Sequence, residues 1–516
     1  MSPIRILWVD DEIDLLQAQV MFLQNKGYSV EQATNGRDAI EKCKDEVFDI
    51  VFLDENMPGL SGLETLSIIK AAQPNLPTVM ITKSEEENIM DEAIGGQISD
   101  YLIKPVKPQQ ILSTIKKIID NQRLVQEKTV MAYQQEFQKI FMAIQEEQDF
   151  KGWSDIYKKL VYWELSLVRF ETGEMSEVFA MQKSEANREF NKFVIRNYED
   201  WIHNKLDAPV MSHTLMKKRV LPLLSPEKPT FLFLIDNLRF DQWRIIEPML
   251  STLYRTEQED LLYSILPTCT QYSRNAIFAG MLPNEIRKKF PNYWVFDDDD
   301  KGKNLHEENL LTNLLAKNRI NVKSKYLKIT HYDAGLEFEH QVLDYLQNDL
   351  NVVVYNFVDT MSHARTEKGI VRELANDEAA YRSITQSWFK HSPLWAALKK
   401  LADKDVRIII TTDHGTIRVG TPSKVVGDKN TSTNLRYKTG KNMRYERKDV
   451  FEVTNPEDIG LPRQHLSSKY IFAKEDRYFV YQNNYNHFVK YFNDTFQHGG
   501  ISMEEMLIPF IVLRPR

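Results

Sequence analysis

Cysteine is nearly absent. Cys43 and Cys269 are the two in 516 residues, and they fall in different presumed domains. That excludes a disulfide framework and fits a reducing compartment. Long hydrophobic runs are missing too: no apolar stretch reaches the roughly 20 residues that cross a bilayer. The opening residues turn charged too soon for a signal peptide, so a cytoplasmic protein with no membrane insertion is the expectation. Nor is there a basic excess. Lys and Arg number 66 against 73 Asp and Glu, for a formal charge of -7, which argues against a general nucleic-acid coat protein. No helix-turn-helix signature stands out, so no direct DNA-binding motif is assigned. What is present is length: 516 residues exceed one ordinary core, and about two to four domains are expected.

Hydropathy changes character along the chain. Residues 1–120 alternate short apolar runs (4–9, 50–53, 77–82 and 101–103) with amphipathic stretches, which predicts an α/β domain on a parallel sheet. Residues 121–206 show no strand run. Phe137, Ile140 and Ile144, then Ile156, Leu160 and Trp163, then Phe190, Val194 and Trp201 recur at helical spacing. A central helical bundle or spacer is expected there, with turns at Gly152 and Gly173. Residues 207–228, with Pro209, Pro222 and Pro226, read as a linker. Residues 229–516 are α/β again. Polar stretches at about 284–350 and 415–475 read as insertions at strand ends.

The first domain carries one legible site. Asp10 and Asp11 follow the first strand, Asp54 ends the second run, Thr82 ends the next, and Lys104 precedes Pro105 after the last. Three carboxylates on one rim suit Mg²⁺, and one of them can then attack a phosphoryl group. Lys104 can pair with the resulting phosphate, and Thr82 can hydrogen-bond it. These residues, with Gly59, Gly62 and the run Leu-Asp-Glu-Asn-Met-Pro at 53–58, resemble a response-regulator receiver domain, flavodoxin-like, over about residues 3–120. The resemblance implies phosphorylation of Asp54. It also implies Mg²⁺ on Asp10, Asp11, Asp54 and the main-chain carbonyl of Asn56. Tyr101 would be the aromatic that swings inward when Thr82 moves.

The last domain carries another. Asp236 ends the apolar run 230–236, Asp359 ends 352–359, and Asp413 and His414 end 407–414. A short apolar run capped by a metal-binding side chain is the mark of a buried parallel strand opening into a site. Asp359 and His363 stand at i and i+4, so one helical turn aims both at one ion. His498 is followed by Gly499 and Gly500, which permit close backbone approach. Thr270 precedes a helix-like stretch, where free N–H groups favour an anion. Its hydroxyl is a weak nucleophile at neutral pH, and direct metal coordination is one way to deprotonate it. Thr268 is the alternative nucleophile. Arg274 and Asn275 either touch a substrate phosphate or line a solvated helix face. His331, His340 and His391 fit no part of the pattern and read as surface or core histidines.

The order Asp, Thr, Asp-x-x-x-His, Asp-His and a lone His is similar to the alkaline phosphatase superfamily and, within it, PglZ-type domains. That resemblance covers about residues 229–516 apart from the polar stretches. It implies two Zn²⁺ ions, with Mn²⁺ as a substitute. Asp359, His363 and His498 would hold one; Asp236, Thr270, Asp413 and His414 would hold the other. Thr270 would be the catalytic nucleophile. The superfamily's monoesterases carry an arginine clamp and a third metal; neither is assignable here, which favours phosphodiesters. Receiver, helical spacer and PglZ-like domain in this order resemble PorX-type response regulators. That implies a partner histidine kinase, a homodimer on phosphorylation, and control of type IX secretion. The enzyme reading is a metal-dependent phosphodiesterase acting on nucleotides or short oligonucleotides. The rival readings are a scaffold binding a sigma factor or a cytoplasmic component of the secretion system, and a phosphomonoesterase.

Overall fold

The computed structural model describes residues 3–73, 76–83, 98–168, 173–205, 207–297, 299, 302–359, 377–428 and 431–516. The chain divides into two compact units, Met1–Tyr133 and Gln134–Arg516.

The first unit is built on a five-stranded sheet. Its strands are β1 (Arg5–Val9), β2 (Ser29–Ala33), β3 (Ile50–Asp54), β4 (Thr78–Thr82) and β5 (Asp100–Ile103), in the order β2-β1-β3-β4-β5. Every pairing is parallel. β1, β3 and β4 are buried almost throughout because helices cover both faces. Val20 and Leu23 of α1 (Gln17–Asn25) pack on one face with Ile111 and Ile115 of α4 (Pro108–Ile115). Ala39 and Cys43 of α2 (Gly36–Asp45) pack on the other with Leu66 and Ile69 of α3 (Gly62–Ala72). Asn35 caps α2, and Ser61 with Glu64 forms a capping box on α3. The edge strand β2 was not among the apolar runs, because Ser29, Glu31 and Gln32 dilute it.

The second unit begins with the end of α5 (Asn121–Gln145), followed by α6 (Phe150–Val168) and α7 (Gly173–Ile202). Gly152 lies in the first turn of α6 and not in a turn between helices. Asp149 accepts its N–H at 2.8 Å and starts the helix. α6 and α7 do not stand clear as a spacer. Phe190 and Trp201 of α7 pack against Tyr263, Tyr157 of α6 against Phe240, and Tyr198 accepts the Leu266 N–H at 2.7 Å. In the proline-rich stretch, Leu215, Met216 and Val220 are fully buried in short helical turns.

A six-stranded mixed sheet forms the heart of this unit. Its strands are β6 (Thr230–Ile235), β7 (Tyr254–Tyr263), β8 (Ser324–Ile329), β9 (Leu350–Tyr355), β10 (Arg407–Thr411) and the final strand Leu507–Pro515. The order is β7, final strand, β10, β6, β9, β8. β10, β6, β9 and β8 are mutually parallel; the final strand runs antiparallel to both β10 and β7. β6 and β9 are buried at every position, which explains their largely apolar sequence. The polar stretch 284–350 is not wholly an insertion, since it supplies β8. That strand is an edge with Ser324 and Lys325 exposed, so its hydropathy is weak. The stretch 415–475 does build separate small sheets, including one of Tyr437–Gly440, Val450–Val453 and Lys469–Ala473.

Candidate functional site

The carboxyl ends of β6 and β10 deliver Asp236, Asp413 and His414 to one place, as expected for parallel strands of an open α/β sheet. Asp236 follows β6 directly, and its N–H is held by the Tyr355 carbonyl at 2.8 Å. Asp413 and His414 follow β10 by a residue or two and are fully buried. Asp359 departs from expectation. β9 stops at Tyr355, and Asp359 lies in a helical turn beyond it, with its side chain 19 % exposed. His363 lies outside the described residues.

Thr270 opens α9 (Thr270–Ala279), and its Oγ1 lies 3.1 Å from His414 Nε2 and 3.5 Å from Asp236 Oδ1. His414 Nε2 is 3.8 Å from Asp236 Oδ1 and 3.9 Å from Asp413 Oδ2. Asp236, Asp413 and His414 therefore form a candidate metal site, their ligand atoms all within 4.8 Å of one another. His498 Nε2 lies 3.8 Å from Asp359 Oδ1, and its ring stacks on His414 with centroids 4.3 Å apart.

Whether these residues suit a divalent cation can be judged from the far sides of the imidazoles. His414 Nδ1 meets the Gly415 carbonyl at 3.1 Å, and His498 Nδ1 meets the Thr268 carbonyl at 3.1 Å. A carbonyl only accepts, so each Nδ1 carries a proton and Nε2 is the nitrogen that faces the carboxylates. That is how metal-binding histidines are held. An oxygen and imidazole set of this kind fits Zn²⁺ or Mn²⁺.

Arg274, one turn after Thr270, is fully buried among the acids. It pairs with Asp236 Oδ2, donates to Asp413 Oδ2 at 3.0 Å and lies 3.6 Å from Glu307. A solvated helix face is thereby ruled out for Arg274, and for Asn275, which is 3 % exposed. Electrostatics splits the acids. Burial drives the Asp236 carboxyl well above the usual range, helped by Asp413 and Asp359 and opposed by Arg274. Burial acts on Asp413 too, but Arg274 and His414 outweigh it and hold that carboxyl well below its ordinary value.

Thr268 is committed elsewhere. Its hydroxyl donates to the Gly500 carbonyl at 2.9 Å and accepts the Gly499 N–H at 3.0 Å. Gly499 has φ +121°, and a Cβ on Gly500 would lie 2.5 Å from the Ala473 carbonyl, so both glycines are required. His331, His340 and His391 are exposed, as their place outside the pattern suggested.

The first unit gathers its own set. Asp10 and Asp54 are buried, Asp11 is exposed, and all three carboxylates fall within 4.8 Å, forming the second candidate metal site. Lys104 Nζ sits between, 2.8 Å from Asp10 and 2.9 Å from Asp54. Burial raises the Asp54 carboxyl against the pull of Lys104. Thr82 ends β4, and Tyr101 of β5 pairs with Met80 of β4 and is 39 % exposed. Asn56 is exposed just beyond Asp54.

Comparison with protein families accounts for nearly all of these parts. The BREX system PglZ alkaline phosphatase-like domain matches residues 215–513. The PorX response regulator linker domain matches 123–202, and the response regulator receiver domain matches 6–116. The chain belongs to the PorX-type response regulators. Its receiver is 35 % identical to the transcriptional regulatory protein ZraR of Klebsiella oxytoca over 123 residues, 24 % of this chain and 28 % of that protein. The match thus spans under a third of ZraR. It is 30 % identical to the chemotaxis protein CheY of Thermotoga maritima over 22 % of this chain and 96 % of CheY. A solved receiver domain from Methanospirillum hungatei is 28 % identical, covering 23 % of this chain and 96 % of that one, with a TM-score of 0.23. Among the described residues, no helix is long and apolar enough to cross a membrane.

Some supports of the PglZ centre were not read from sequence. Asn237, with φ 64°, turns the chain after β6; its N–H reaches Asp413 Oδ1 at 3.4 Å and its Nδ2 reaches Asp359 Oδ1 at 3.4 Å. Asparagine tolerates that left-handed conformation, so an Asp-Asn pair at a strand end was a usable signal. Glu505, fully buried, accepts the Gly500 N–H at 2.9 Å and Arg436 Nη2 at 2.6 Å, while its main-chain carbonyl accepts the Gly415 N–H at 3.1 Å. Nothing in the polar stretch around Arg436 marked it as a partner.

Proposed function

We propose that this chain is a response regulator in which phosphate on Asp54 controls a zinc-dependent phosphodiesterase of the PglZ domain. The observation that carries the enzyme reading is the Thr270 hydroxyl at the start of α9, 3.1 Å from His414 and 3.5 Å from Asp236. Asp236, Thr270, Asp413 and His414 would hold one ion; Asp359, His498 and His363 would hold the other. Bound metal would favour the alkoxide of Thr270 and offset charge on the phosphoryl oxygens. Thr270 Oγ1 then attacks phosphorus, and the bond to the leaving alcohol's oxygen breaks. The threonine is left esterified to the phosphoryl group that still carries the other alcohol, and water attacks that phosphorus, breaks its bond to Thr270 Oγ1 and releases the phosphate monoester. The N–H groups at the N-terminus of α9 would favour the anion there. Thr268 is a poor rival, because its hydroxyl is engaged on both sides by Gly499 and Gly500.

A cleft of about 350 Å³ opens beside His498, lined by Asp297, Lys303, Asn434, Tyr437 and Phe492. Its size, its aromatic side chains and its lysine suit a nucleotide or short oligonucleotide diester. The test is turnover of an aryl phosphodiester with Zn²⁺. Activity unchanged in Thr270→Ala would sink the mechanism, and faster hydrolysis of a monoester would overturn the substrate class.

On the regulatory side, a phosphate adds about -1.5 to -2 charge at Asp54. It would draw Lys104 and Thr82, turn Tyr101 inward and favour a homodimer. Light scattering with beryllofluoride and Mg²⁺ should show twice the mass; an unchanged mass would count against it. The linker's kinship supports a cytoplasmic role in controlling type IX secretion downstream of a histidine kinase. A sigma factor or a cytoplasmic part of that system would be the output partner.

A further inference from the structure

Helix α7 reaches the supports of the metal centre. Asn187, 5 % exposed, commits both ends of its amide to the segment Met503–Met506. Its Oδ1 accepts the Met503 N–H at 2.8 Å, and its Nδ2 donates to Glu504 Oε2 at 2.9 Å. One turn earlier, Lys183 Nζ pairs with the other oxygen of Glu504 at 3.1 Å. Lys183 also pairs with Glu164 of α6 at 2.9 Å, and Glu164 with Arg382 of α11 (Glu378–His391, α10 being Glu307–Lys317) at 2.7 Å. This buried ionic chain cannot rearrange cheaply, because each charge would lose its partner away from water.

The segment so held is where the centre's strands are tied together. Glu505 binds Gly500 through its carboxylate and Gly415 through its carbonyl. Gly415 packs so closely on Glu504 that an added Cβ would lie 2.1 Å from the Glu504 carbonyl oxygen. A displacement of 503–505 must therefore carry Gly415, with His414 before it, and Gly500, with His498 two residues before it.

We propose that Asn187 of the linker is a positioning residue for the metal centre, setting His414 and His498 through Glu504 and Glu505. The linker is then part of the centre's scaffold, and a movement of α7 would be felt at both imidazoles. The inference rests on the reading of this centre as a metal-dependent hydrolase.

The test uses the full chain. Asn187→Asp keeps the acceptor for Met503 but sets a carboxylate against Glu504; adding Glu504→Gln restores a donor facing it. Zinc affinity is measured by titration of Zn²⁺ alone, and kcat and KM with an aryl phosphodiester. Asn187→Asp should bind zinc about tenfold more weakly, the scale for outer supports of metal ligands. It should also lose kcat with KM little changed, and the double variant should recover both. Wild-type zinc affinity and kcat in Asn187→Asp, or no recovery in the double variant, would overturn the proposal. If Asn187→Asp does not fold, Asn187→Ser removes both hydrogen bonds without adding charge, and its zinc affinity must fall or the proposal fails. A wild type that binds zinc but leaves the diester intact overturns the phosphodiesterase reading instead, and the zinc affinities still decide this one. A wild type that binds no zinc overturns both.

Discussion

Replacing Arg274 by Met should destabilise the metal-free PglZ domain strongly and the zinc-loaded one weakly. The guanidinium is fully buried against Asp236 and Asp413, with Glu307 at 3.6 Å. At an effective dielectric constant of about 20, each unit-charge pair at about 4 Å attracts by roughly 4 kcal/mol. Arg274→Met forfeits this attraction for its paired carboxylates but also removes the cost of burying the arginine. The net loss expected for breaking such a pair is about 3–5 kcal/mol. A divalent cation on Asp236 and Asp413 restores positive charge at the same oxygens, so with zinc the loss should shrink to about 1–2 kcal/mol, the scale of lost packing and one hydrogen bond. The assay is urea unfolding followed by tryptophan fluorescence, with chelator and with zinc; Trp243 is fully buried in α8 (Phe240–Leu250) and serves as a reporter. Equal destabilisation with and without zinc would refute the claim that the metal and Arg274 address the same carboxylates. A loss under about 1 kcal/mol without metal would refute the ion-pair reasoning itself.

Other outcomes follow from the same geometry. Thr268→Val should cost about 1–3 kcal/mol in thermal unfolding, since it strands the buried Gly499 N–H, whereas Thr270→Val should change stability by less than about 1 kcal/mol and abolish turnover. Gly415→Ala should weaken zinc binding in titration, because its Cβ would meet the Glu504 carbonyl at 2.1 Å. Lys438 is 1 % exposed, and burial depresses its ammonium to about 7. The folded protein therefore binds fewer protons there than the unfolded chain, and stability rises as pH climbs from about 7 toward about 10.4, the free lysine value. Lys438→Met should exceed wild type in stability near neutral pH by up to about 4 kcal/mol, and the gap should close by about pH 10.5; a gap independent of pH would show that the depressed ammonium is not its cause.

Much of this chain could be read without coordinates. β1, β3, β4, β6, β9 and β10 are buried on both faces, so they had to be largely apolar runs, and within each sheet their last residues had to open toward one rim. Asp10, Asp54, Asp236, Asp413 and His414 were legible for that reason. The edge strands β2 and β8 were not, because polar residues mask their period.

Sequence by itself determined the inventory, because the identity and order of acids, imidazoles and the Thr270 hydroxyl are properties of the chain alone. Only the tertiary structure decided which neighbours hold them. Arg274 could have faced solvent or substrate until α9 packed it between Asp236 and Asp413. Asn187 and Glu504 lie 317 positions apart, and no local pattern predicts that one amide will hold the other's carboxylate. Spacing reports neighbours within a helix or strand; partners brought together by packing depend on the whole chain closing around them.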